Sequence, residues 1–137
     1  MHRKILLWGI GFALVAVILG AFGAHALKAI LSPEKLQSFE TGVRYQLIHA
    51  LALILLAIYS QINVAQINNK KGIAWASNFF IIGILLFSGS IYGLAFSSMT
   101  QSNWSVLLGP ITPFGGLSLM LGWASWAKVV WLNKVDM

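Results

Sequence analysis

Apolar residues run through this chain in long blocks, without the alternation of a half-buried strand. The hydrocarbon core of a bilayer is about 30 Å thick, and a helix needs about 20 apolar residues to cross it. One such block runs from Ile5 to Ala24, directly after Arg3 and Lys4, and a second from Tyr45 to Val64. Between Gly72 and Ala127 there is no Lys, Arg, Asp or Glu at all. That stretch is too long for one crossing. It is interrupted by the polar, turn-like segment S-S-M-T-Q-S-N at Ser97–Asn103, with Pro110 and Pro113 following. The pattern predicts a third span over 73–96 and a fourth over 111–131. The expected fold class is an all-α membrane protein, a single four-transmembrane-helix bundle covering 1–137.

The segment between the first two spans carries its own pattern. Ser32-Pro33-Glu34 is a helix start: Ser suits the cap, Pro at the first helical position loses no needed bond, and Glu favours the positive end of the helix dipole. Leu36, Phe39, Val43 and Leu47 then recur at three- and four-residue spacing and make one apolar face. Glu40 and Arg44, four apart, lie on another side. These features predict a short amphipathic helix over 33–42 at the membrane surface, bending or running into the second span near Gly42. The polar stretch Gln61–Lys71 reads as a turn between antiparallel helices.

Composition agrees. Of the 137 residues, 58% are hydrophobic and 9% charged, and the mean hydropathy is +0.82. Soluble domains carry about a quarter charged residues, so a soluble enzyme, a disordered regulator and a coiled coil are excluded. The net charge of +6 would suggest nucleic acid only if it formed a basic face. Here the cations sit singly or in pairs at the ends of apolar runs, so no nucleic-acid partner is expected. The absence of cysteine excludes disulfides, thiolate metal sites and a Cys nucleophile. The N-terminus ends its apolar run in Ala24-His25-Ala26, which mimics a signal-peptide cleavage site. A run near 20 residues exceeds the usual h-region of about 7–15, so it is expected to stay as a span.

Orientation follows from positive charge. With both termini cytoplasmic, Arg3, Lys4, Lys70, Lys71, Lys128 and Lys134 lie inside, against Lys28, Lys35 and Arg44 outside. Trp8, Trp75, Trp126 and Trp131 then fall near one interface and Trp104 near the other, as aromatic belts do. In lipid, helices associate through close approach of small residues. The expected packing ridges are Ala16, Gly20 and Ala24 on the first span, Gly89 and Gly93 on the third, and Gly115, Ser118 and Gly122 on the fourth. They suit a compact bundle, a homo-oligomer or a membrane-protein partner.

Polar groups inside a membrane are the default place to seek function. His25 closes the first span, and His49 lies about one turn inside the second, with Tyr45 and Gln46 on its helical face and Arg44 just outside. Ser88 and Ser90 lie on the third span. The candidate pocket is therefore His25, Arg44, Tyr45, Gln46, His49, Ser88 and Ser90, opening at one end of the bundle. Two His make a poor zinc site, where three or four ligands are normal. Bis-His haem is chemically feasible, but no spacing demands it, and the cofactor stays unassigned. No acid is placed to orient either His, so a nucleophilic triad fails. The competing reading is a hydrogen-bonded staple between helices.

These same segments resemble the YgdD/YwdK-type family of small bacterial inner-membrane proteins, domain of unknown function 423, with the eukaryotic transmembrane protein 256 as kin. The resemblance rests on G-A-F-G-A-H-A-L at Gly20–Leu27, F-E-T-G-V-R-Y-Q-L-I-H-A-L-A at Phe39–Ala52, L-F-S-G-S-I-Y at Leu86–Tyr92, P-I-T-P-F-G-G at Pro110–Gly116, and Gly122-Trp123. It implies a four-helix protein of the bacterial inner membrane with no assigned reaction. Its recurring polar positions fall on His25, Arg44, Tyr45, Gln46, His49, Ser88 and Ser90. The function expected is a non-enzymatic structural or partner protein. The alternative is a ligand- or cofactor-binding protein, or a small oligomeric transporter using the polar pocket. No inverted repeat is visible, which counts against transport.

Overall fold

The computed structural model describes residues 2–63, 70–100 and 105–133. The elements in chain order are α1 (His2–His25), a 3-10 turn (Leu27–Ala29), α2 (Pro33–Ile62), α3 (Lys70–Thr100), a short α4 (Ser105–Leu108) and α5 (Ile111–Leu132). Four helical segments, α1, α2, α3 and the one ending in α5, are long and apolar enough to cross a membrane. Among the described residues there is no strand. With backbone hydrogen bonds closed inside each helix, this is one of the two architectures a bilayer tolerates.

The amphipathic segment and the second span form one unbroken helix of 30 residues. At a rise of 1.5 Å per residue it is about 45 Å long, more than a hydrocarbon core requires. Pro33 occupies its first turn, as the sequence predicts. The predicted break after the third span falls differently. Ser97–Thr100 continues α3, because hydroxyls in this stretch bond back along the helix: Ser98 Oγ donates to the Ala95 carbonyl (2.7 Å) and Thr100 Oγ1 to that of Phe96 (3.2 Å). Such back-bonding lets a polar run stay helical. Pro113 lies in the first turn of α5, where its missing N–H is no loss. The rest of the predicted turn, 101–103, and most of the loop 61–71 lie outside the described residues.

α1 packs on α2, α2 on α3, and α3 on α5. The most apolar stretches of α2 and α3 are 44% and 39% buried, against 22% for α1 and for the segment containing α5. α2 and α3 are therefore the inner pair. The larger core gathers Phe12, Leu53, Leu56, Ile73, Phe80, Leu119 and Val129 from all four spans. A smaller cluster of Leu27, Leu31, Phe39 and Ala95 closes the end remote from the termini. At the other end the His2 Nδ1 lies 2.6 Å from Ser60 Oγ, tying the start of α1 to the last turn of α2.

Two of the expected packing residues are not at interfaces. Ala24 is exposed, because four residues turn a helix by about 400°, so the stripe Ala16–Gly20–Ala24 drifts about 40° per step. Seven-residue steps drift only about 20°, and α1 meets α2 along Gly9, Ala16 and Gly23. A Cβ on Gly9 would come 2.7 Å from Ile54, and one on Gly23 would come 3.0 Å from Phe39. Gly89 faces open space, since its buried neighbours Ser88 and Ser90 turn it outward between them. The other expected residues do meet neighbours. Ala16 is buried, Gly20 lies against Val43, Gly93 against Leu108 and Gly122 against the Phe80 ring. Gly115 abuts the backbone of Phe87, an approach no side chain would permit. Gly83 against Leu119 completes the α3–α5 seam.

Candidate functional site

The polar residues of the inner helices form a layer across the middle of the bundle. Gln46 is buried on α2. Its Nε2 donates to the Phe12 carbonyl of α1 (2.8 Å), and its Oε1 accepts from the Tyr92 hydroxyl of α3 (2.9 Å). One amide thus joins three helices. One turn along, His49 is also buried. Its Nδ1 lies 2.7 Å from the Tyr45 carbonyl, and its Nε2 lies 3.1 Å from the Trp123 Nε1 of α5. A carbonyl only accepts and an indole N–H only donates, so Nδ1 carries the proton and Nε2 offers its lone pair to Trp123. The imidazole is neutral, with both nitrogens engaged. Around it stand Tyr45, Phe80 and Trp123, with ring centroids 5.9, 5.7 and 6.1 Å away.

The serines close further ties. Ser88 Oγ donates to the Gly42 carbonyl of α2 (2.7 Å). Ser90 Oγ donates to the Phe87 carbonyl (2.9 Å) and lies 2.7 Å from the Thr112 hydroxyl of α5. With the Ser90 proton so used, Thr112 is the donor of that second bond. Ser118 Oγ of α5 donates to the Phe79 carbonyl (2.8 Å). Each of α1, α3 and α5 is thereby bonded to α2 or to each other across apolar surface, where no water competes.

Of the sequence-predicted residues, Tyr45, Gln46, His49, Ser88 and Ser90 come together. Tyr45 stands at the edge, 40% exposed, its ring 4.7 Å from that of Phe87. His25 and Arg44 do not join them: both are exposed. His49 lies level with the stretch of α1 between Gly9, which abuts Ala50, and Phe12, which bonds to Gln46. His25 is thirteen residues beyond Phe12, so the two His are about 20 Å apart along the axis. The sequence placed them together because it started the second span at Tyr45. In the structure α2 has already run three turns by then, and His49 sits mid-bundle. The partners missed were Trp123 and Thr112, and the backbone carbonyl of Phe12. Trp123 could have been found as a polar-tipped aromatic within a span. A backbone acceptor leaves no sequence signal. Trp126, assigned to an interfacial belt, turns inward and stacks on Trp123 at 5.6 Å and 13°. No group of three or more His, Cys, Asp or Glu that could hold a metal ion occurs among the described residues.

Four apolar spans joined by a hydrogen-bonded polar layer define a small multi-pass α-helical membrane protein. A family model described as "Protein of unknown function (DUF423)" matches residues 19–116. The chain belongs to this family. It is 38% identical to a UPF0382 membrane protein of Haemophilus influenzae over 117 residues, 85% of this chain and 83% of the relative. It is 40% identical to the UPF0382 membrane protein YwdK of Bacillus subtilis over 111 residues, 81% of this chain and 82% of the relative. With the UPF0382 inner membrane protein YgdD of Escherichia coli it shares 39% identity over 114 residues, 83% of this chain and 77% of the relative. No solved structure matches the chain. The matched region contains all seven polar positions singled out in the sequence but stops short of Trp123. The resemblance read from the motifs thus holds, as do the membrane-spanning fold and the inner-membrane location.

Proposed function

We propose that this chain is a non-enzymatic protein of the inner membrane, a rigid bundle acting as a structural or partner subunit. The observation that carries the reading is the closure of the polar layer: both nitrogens of His49 and both ends of the Gln46 amide are taken by the protein itself. A general base or a metal ligand needs a free lone pair, and His49 spends its own on Trp123. A layer of this kind favours one helix arrangement over others, since every wrong packing strands a polar group in hydrocarbon. Arg44, Glu40 and His25, exposed around the end remote from the termini, are the groups available to a partner.

The test is native mass spectrometry of the protein in mild detergent, with metal analysis and an absorption spectrum of the same sample. The expected result is a chain without stoichiometric metal or chromophore. A His49→Phe variant is expected to melt lower yet still complement a deletion strain. A bound metal or chromophore that vanishes in His49→Phe would replace this reading with a cofactor-binding one.

A further inference from the structure

We infer that the outward face of α3 is a binding site for one anionic phospholipid, its headgroup at Lys71 and its acyl chain along the same helix face. Lys71, Ala74, Trp75 and Asn78 line a shallow hollow of about 130 Å³, open to the surroundings. They stand three and four residues apart, so they share one face of the helix. Lys71, Trp75 and Asn78 are all exposed, and the Trp75 ring is steadied by stacking on Phe79 at 5.7 Å.

The order of these groups along the axis matches that of a phospholipid. Lys71, next to Lys70 at the start of α3, supplies a cation where phosphates lie. Trp75 follows one turn deeper, the depth at which indoles gather at membrane interfaces. Asn78 is seven residues from Lys71, about 10 Å further in, where lipid ester carbonyls meet hydrocarbon. Its side chain has no hydrogen-bond partner among the described residues. An amide facing hydrocarbon unpaired is costly, and two ester carbonyls of a bound lipid would satisfy its two donors. Below it the same face turns apolar with Ile82 and Leu85, 48% and 55% exposed. Next comes Gly89, beside which a Cβ would meet nothing within 4 Å. The missing side chain leaves a shallow channel for an acyl chain. A lysine without an acid lining the same hollow selects an anionic headgroup over a zwitterionic one.

The site is tested by titrating the purified chain in mild detergent with phosphatidylglycerol, with phosphatidylcholine of the same chains, and with inorganic phosphate. Native mass spectrometry reads the adducts. Expected is one saturable phosphatidylglycerol per chain, binding at least fivefold tighter than phosphatidylcholine, with no phosphate adduct at the same concentration. Lys71→Gln weakens phosphatidylglycerol about fivefold, the worth of one cation near a membrane surface. Asn78→Leu weakens both lipids alike, and Lys35→Gln, at the other end of the bundle, changes neither. Equal binding of the two lipids, or an unaffected Lys71→Gln, overturns the proposal. Saturable phosphate binding at Lys71 overturns the lipid in favour of a free anion. A dimer that becomes monomeric in Asn78→Leu overturns it in favour of contact between two copies through this face.

Discussion

Two aromatic layers lie one above the other between α2 and α5, and they treat their polar atoms in opposite ways. In the upper one, Trp123 donates to His49, and the neighbouring Gln46 spends both ends of its amide. In the lower one, one turn along α5, the Trp126 ring lies 6.2 Å from that of Tyr59. There the buried Trp126 Nε1 and Tyr59 hydroxyl have no hydrogen-bond partner among the described residues. Both layers are packed with similar rings. Only the upper one is directional. An aromatic in a core contributes mainly by area and stacking, and the lower layer works in that way despite the polar tips. The upper layer adds bonds that hold each helix at one height and one rotation. The energetic difference is read from substitutions that erase the polar atoms and keep the volume.

The largest effect is expected at Gln46→Leu. It removes bonds to two helices and leaves the Tyr92 hydroxyl and the Phe12 carbonyl without their partner. Hydrogen bonds between membrane helices average about 0.6 kcal/mol and reach about 1.7, so the loss is about 2 kcal/mol, read as a shift of the unfolding midpoint in mixed micelles. A smaller loss, about 1 kcal/mol, is expected for His49→Phe, which keeps a ring but strands the Trp123 N–H. Trp123→Phe in that background removes the stranded donor, so the double variant is expected to lose less than the sum of the two single ones. Strict additivity would show that the His49–Trp123 bond carries no coupling. The smallest effect is expected in the lower layer. Tyr59→Phe removes an unpaired hydroxyl, and its stability is expected to stay within about 0.5 kcal/mol of the parent or to rise, because no bond is lost and a buried polar atom is gone. A drop as large as that of His49→Phe would mean the two layers are alike after all.

The two hairpins show a related contrast. α1 meets α2 with Gly9 against the Ile54 side chain and the Ala50 carbonyl and with Gly23 against the Phe39 ring, whereas α3 meets α5 with Gly115 directly against the backbone of Phe87. A backbone cannot move aside as a side chain can. Each seam thus has one glycine against backbone, Gly9 in the first and Gly115 in the second, and the second adds the Ser90–Thr112 and Ser118–Phe79 bonds.

Much of this was legible in the chain. Length and continuity of the apolar blocks determined four spans and hence an even-numbered, membrane-spanning helical fold, because hydrocarbon thickness sets the length of a crossing. Pro33 and Glu34 marked where α2 starts, since Pro fits the first turn and Glu its positive end, while Ser32 stands at the cap position without a side-chain capping bond. The polar residues of the inner spans could be picked out because such groups are rare in lipid. Tertiary structure alone decided the height and rotation of each helix. A hydropathy pattern averages over depth, so it placed His49 beside His25 when the register of α1 against α2 puts His49 mid-bundle. Helices that are apolar nearly all round carry little signal of which face is inward. Ala24, Gly89 and Trp126 were therefore given the wrong side, and Asn78 passed unnoticed. Whether Trp123 meets His49 depends on the rotation of two helices distant in sequence, and that is decided only when glycine seams and hydrogen bonds lock together.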